Sequence, residues 1–188
     1  MTPIPKTQTG LQELWDRIEA FSFDTGPTTY PFWSRLASEN GWSMGFAARA
    51  ISEYRRFLYL AVAAGHPVSP SDPIDQVWHL HLLYTESYWN RLCRDTLGMP
   101  LHHHPSAGGA AERDKFDGWY RDTLASYRRV FLEEPPGDIW PDPDAPSDGG
   151  LHRRVNIQRN WIIPKPPRWT GCGADLVRSA WTQEARSR

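Results

Sequence analysis

Ser71-Asp72-Pro73-Ile74-Asp75-Gln76-Val77-Trp78-His79-Leu80-His81-Leu82-Leu83-Tyr84, residues 71–84, reads as the start of a helix. Ser71 or Asp72 supplies the cap, and Pro73 occupies the first turn, where a missing N–H is no loss. The helical pattern runs on to Leu97, and Gly98 closes it. One helix is expected over residues 72–97.

The flanking stretches have the same period. Ser43 is placed to cap a helix over 44–64, in which Met44, Ala47, Ala48, Ile51, Tyr54, Leu58 and Val62 recur at three- and four-residue steps. Gly65-His66-Pro67 ends it. A short helix over 11–21 carries Leu11, Leu14, Trp15 and Ile18, with Thr9 as its cap. Another, over 32–39, stops at Asn40-Gly41. A long helix over 110–133 places Phe116, Trp119, Tyr120, Leu124, Tyr127 and Phe131 in the core. No strand series and no internal repeat interrupt this order. The expected class is all-α, a compact bundle of three long and two short helices.

The expected organisation is a flexible arm over 1–10, a helical domain over 11–133, a Pro-rich extension over 134–170 packed on or near it, and a tail over 171–188. Pro135, Pro136, Pro141, Pro143 and Pro146 exclude long helices beyond 134. An acidic run there precedes a basic one over 152–168. Residues 155–163 read as one extended strand, and 174–188 as a short surface helix.

Composition narrows the function classes. The chain has 188 residues and a net charge of −1, which argues against a nucleic-acid binder. Aromatic residues make up 13% and Trp alone numbers ten, so the chain is no disordered polymer. The longest apolar run, residues 57–64, is far short of the roughly 20 that span a bilayer. The N-terminus lacks an apolar signal core, and two cysteines make no disulfide framework. The expectation is a cytoplasmic protein. There is no phosphate-binding glycine loop, dinucleotide fingerprint or nucleophile elbow.

Chemistry concentrates at the histidines. Five of the seven lie between 79 and 104. On a helical wheel Asp75, His79, Glu86 and Cys93 fall within about 40° of one another. His81 lies on another face with Ile74, Val77, Tyr84 and Tyr88, so His79 and His81 do not chelate together. Asp75 and His79, one turn apart, could share a metal with His102 and His103 from the loop at 98–105. Glu86 is then a further ligand or a general base. Imidazole with carboxylate suits a divalent first-row metal, Zn, Fe or Mn. Trp78, His81, Tyr84 and Tyr88 are the residues expected around such a site.

Structural roles compete at each position. Asp75 and His79 also suit an intrahelical hydrogen bond. His81 suits a buried histidine bonded to a carbonyl or a tyrosine. Trp78 and Trp89 suit the core. His79 and Cys93 lie about 21 Å apart along one helix and form no catalytic dyad, which leaves Cys93 structural.

Asp75-x-x-Trp78-His79-x-His81, followed by Tyr88 and the loop Gly98-x-Pro100-Leu101-His102-His103, resembles the glycine-rich domain-containing protein-like family of plants and bacteria. The likeness covers about residues 40–165, and Trp161-Ile162-Ile163-Pro164-Lys165-Pro166 is similar to the end of bacterial members. Members often finish in a long glycine-rich region, of which this chain has only Gly171-Cys172-Gly173. The resemblance implies that residues 72–105 act as a unit. Plant members are linked to stress responses and development, and the resemblance supplies no reaction.

Two functions remain in play. One is a metal-binding domain acting as a metal-dependent hydrolase or oxygenase. The other is a non-catalytic interaction module, with the His/Asp cluster as a hydrogen-bond network and a protein partner on the Pro-rich or basic C-terminal third. The first requires ligand atoms converging beside an open cleft. The second requires each polar atom to be paired within the protein.

Overall fold

The computed structural model describes residues 8–24, 26–104 and 108–144. These residues form α1 (Gln8–Glu19), α2 (Phe32–Asn40), α3 (Met44–Ala63), α4 (Asp72–Leu83), a π-helix (Ser87–Leu97) and α5 (Ala110–Phe131). There is no strand among them, and the class is all-α as the periodicity predicts.

Local chemistry sets several of the ends. Ser43 Oγ accepts from the Phe46 amide at 3.2 Å and caps α3. Gly41 and Gly98, at φ +67° and +71°, end α2 and the π-helix in a conformation that a side chain would strain. Thr9 is no cap, because α1 already begins at Gln8.

α3 is the centre of the bundle and packs against α1, α2, α4 and α5. Its Ala47 and Ala50 admit close approach, while Tyr54, Phe57, Leu58 and Leu60 fill the space between neighbours. Each such large apolar side chain contributes on the order of 1.5–3 kcal/mol by leaving water. Phe21, Phe23, Phe32, Ile74, Val77, Trp78, Tyr88 and Leu92 join the same cluster.

The expected single helix over 72–97 is broken. Tyr84 leaves helical geometry at φ −89°, ψ 62°, and its amide bonds back to the His81 carbonyl at 2.9 Å. The chain then resumes in the wider i→i+5 winding. Its buried residues come in pairs, Ser87-Tyr88, Leu92-Cys93 and Thr96-Leu97, stepping by five and then four. That spacing suits a π-helix, so an α-helical wheel misplaces every residue beyond Tyr84.

Three aromatic assignments also change. Trp89 is 40% exposed rather than core. Phe116 and Trp119 are only partly buried, because the buried residues of α5 begin at Thr123.

After α5 the chain turns back at Leu132 and buries Ile139 and Trp140. Trp140 Nε1 and Tyr127 Oη both donate to Glu53 Oε2 at 2.9 Å, and Arg49 forks onto Asp138. The expected strand over 155–163, the surface helix over 174–188, the basic run over 152–168 and the tail lie outside the described residues, as does most of the arm. No helix among the described residues is long and apolar enough to cross a membrane.

Candidate metal centre

Asp75 and His79 project to the same side because they are one turn apart on α4. His79 Nε2 lies 3.6 Å from Asp75 Oδ2. The loop that follows Gly98 brings His103 to the other carboxylate oxygen, with His103 Nε2 2.7 Å from Asp75 Oδ1. The two imidazole rings sit 4.6 Å apart, and His103 meets Trp78 edge-on at the same distance.

One ligand atom from each of Asp75, His79 and His103 lies within 4.8 Å of the other two. Ligands about 2.1 Å from a metal, at angles between octahedral and tetrahedral, stand roughly 3.0–3.4 Å from each other. The 2.7 and 3.6 Å separations straddle that value. Closing around an ion needs a contraction of no more than about 1.8 Å at the widest pair.

The trio opens on a cleft of about 750 Å³. Val68, Ser69, Pro70, Ser71 and Asp72 form the wall leading into α4, with Trp78 beside the trio. Glu112, Lys115, Phe116 and Trp119 of α5 form the other wall. These α5 residues are the part of the site that sequence reading missed. Their aromatic spacing resembles a core pattern, and nothing local marks it as a cleft wall.

The other expected site residues fall elsewhere. His102 lines the cleft but stays outside the trio, its ring 5.6 Å from Trp89 and 6.0 Å from His104. Glu86 is exposed at the start of the π-helix and does not line the cleft, because the break at Tyr84 removes it from the His79 face. Tyr84 packs against Phe32 and accepts from Arg35. Tyr88 is buried behind the site. It accepts from Trp78 Nε1 at 2.8 Å and donates to the Leu101 carbonyl, which fixes the start of the histidine loop.

His81 is fully buried inside the bundle. Its Nδ1 lies 3.4 Å from Tyr54 Oη and its Nε2 3.3 Å from Ser87 Oγ. The rings of Phe21, Phe23, Phe32 and Tyr88 surround it. Burial, helped by the positive charge of Arg91, pushes its pKa down to about 3. It is a neutral core histidine. Burial pushes the Cys93 thiol up, which leaves it a poor nucleophile.

Among the described residues, Asp75, His79 and His103 are therefore the group that could hold a metal. Two imidazoles and a carboxylate make a donor set that suits Zn, Fe or Mn, with fewer protein ligands than such ions take in all.

No family model and no solved structure matches the chain. The chain is similar to glycine-rich domain-containing protein 2 of Arabidopsis thaliana, 27% identical over 107 residues. That match covers 54% of this chain and 13% of the length of the plant protein. It supports a distant relationship.

Proposed function

We propose that Asp75, His79 and His103 bind one divalent first-row metal and that the cleft beside them is the reaction site of a metal-dependent hydrolase or oxygenase. The convergence of the three ligand atoms at the mouth of a small-molecule-sized cleft carries this reading. A metal in that place would supply an activated water, or an oxygen-binding position if it is redox-active. His103 arrives on a loop held by the Tyr88 bond to Leu101, and Trp78 walls one side of the trio. Glu86 has no part in this reading.

One observation favours the second reading, a structural network. Asp75 already accepts from His103 at 2.7 Å, a bond that helps tie the loop to α4 without any ion.

Elemental analysis of tag-free protein, prepared without a nickel column, separates the two. Near one metal per chain in the wild type, lost in His79→Ala, supports the metal centre and names the metal. Folded protein that stays metal-free after incubation with Zn, Fe and Mn salts leaves only the network.

A further inference from the structure

We infer that His102 and His104 form a second divalent-metal site in the same cleft, a two-imidazole site that takes zinc or another borderline first-row ion. It needs no ion at Asp75, His79 and His103, and shares with that centre only the cleft and the loop.

Three histidines in a row divide between two sides of the loop. Residues 101–104 form neither helix nor turn. In an extended chain i and i+2 share one side and i+1 faces the other. His103 reaches Asp75, while the rings of His102 and His104 stand 6.0 Å apart, tilted by 33°. Both line the cleft.

The backbone under the pair is held at both ends. Tyr88 donates to the carbonyl of Leu101, the residue before His102. Pro105 follows His104 and disfavours a helical backbone there. Trp89 lies against His102, 5.6 Å between ring centres.

The ring nitrogens of this pair are uncommitted. His79 and His103 are engaged with Asp75, and His81 with Tyr54 and Ser87. His102 and His104 are exposed and have no hydrogen bond or ion pair among the described residues.

Two imidazoles on one ion, each at about 2.0–2.1 Å, put their ring centres roughly 4.4 Å apart at a right angle and roughly 6.2 Å apart when opposed. The 6.0 Å spacing falls inside that range. Rotation of the exposed side chains reaches the tetrahedral spacing of roughly 5.1 Å. Nitrogen ligands without a carboxylate suit zinc, nickel or copper rather than magnesium or calcium. With two protein ligands instead of three, the pair binds more weakly than the trio. It fills when metal is in excess and empties on dialysis against a weak chelator.

The test is a calorimetric titration of zinc into the metal-free full chain. His79→Ala, His102→Ala and the His102→Ala/His104→Ala double variant are compared with the wild type, with circular dichroism confirming the helical fold of each. The wild type is expected to take two zinc ions in two steps. The double variant should lose the weaker step and keep the tighter one, and His79→Ala the reverse. His102→Ala alone should lose most of the weaker step, because one imidazole makes no chelate.

A double variant that still takes two ions overturns the inference, as does a weaker step kept whole in His102→Ala. A single ion in the wild type, lost in His79→Ala and kept in the double variant, overturns it and leaves the first centre standing. A single ion lost in both variants also overturns it and makes the loop histidines ligands of that first centre. A single ion lost in the double variant and kept in His79→Ala removes the first centre and supports the pair. No uptake by any form overturns both.

Discussion

Trp78 Nε1 donates to Tyr88 Oη across 2.8 Å, joining α4 to the π-helix behind the candidate metal centre. The same hydroxyl donates to Leu101 O, two residues before His103. One phenol thus sets the distance between the helix that carries Asp75 and His79 and the loop that carries His103. The chain reaches this arrangement past the break at Tyr84, where the Tyr88 amide bonds back to the Tyr84 carbonyl at 2.8 Å.

Tyr88→Phe removes the hydroxyl and leaves Trp78 Nε1 without its acceptor and the Leu101 carbonyl without its donor. The expected cost is about 1–3 kcal/mol in a denaturant titration. Metal affinity should also fall, by about tenfold, because outer partners hold the ligands in place. An unchanged midpoint would mean that the loop is held by other contacts.

Asp75→Asn keeps an oxygen that can accept from His103 but removes the charge a metal needs. Metal content after dialysis against a weak chelator should drop to near that of His79→Ala. Glu86→Gln should retain the wild-type level, because Glu86 is exposed and outside the cleft. Loss of metal in Glu86→Gln, with retention in Asp75→Asn, would reverse the assignment of ligands.

His81 makes stability depend on pH. Its folded pKa is about 3, below the ordinary value of 6.5, so the unfolded chain binds the extra proton first. Stability is complete above about 6.5 and falls as pH drops toward 3, by up to roughly 1.4 kcal/mol per unit. The groups facing it are Tyr54, Ser87, Tyr88 and Arg91, and no carboxylate is among the partners found for it. His81→Gln, compared with wild type by urea unfolding at pH 7 and pH 4.5, should show a smaller difference between the two pH values. An equal difference would place the acid sensitivity in another group.

Glu53 is a buried carboxylate on α3 that accepts from Tyr127 and Trp140 and lies 3.9 Å from Arg56. Glu53→Leu strands two buried donors and should cost about 3 kcal/mol. Glu53→Gln keeps an acceptor oxygen and should cost less. The check is the shift in urea midpoint. A Leu variant as stable as the wild type would show that the segment ending at Trp140 docks by apolar burial alone.

Much of this molecule could be read along the chain. The three- and four-residue steps of Ala47, Ile51, Tyr54 and Leu58 specify a helix whatever surrounds it. The wheel also places Asp75 beside His79 and turns His81 toward the apolar face, and both placements follow from the geometry of a single helix turn. The same wheel, carried past Tyr84, brings Glu86 next to His79. The structure parts them because α4 breaks at Tyr84, and no local pattern sets where α4 stops.

The sequence by itself determined the all-α class, the Asp75–His79 pair and the inward side of His81, since each depends on residues within a turn or two of one another. Tertiary structure alone decided that His103, rather than His102 or His104, completes the trio. It also decided that Phe116 and Trp119 face a cleft instead of the core. Asp75 and His103 are 28 residues apart, and their meeting depends on the break at Tyr84, the Gly98 turn and the Tyr88 anchor acting together. Periodicity reports the environment of a residue along its own helix. It carries no record of which distant segment folds against it.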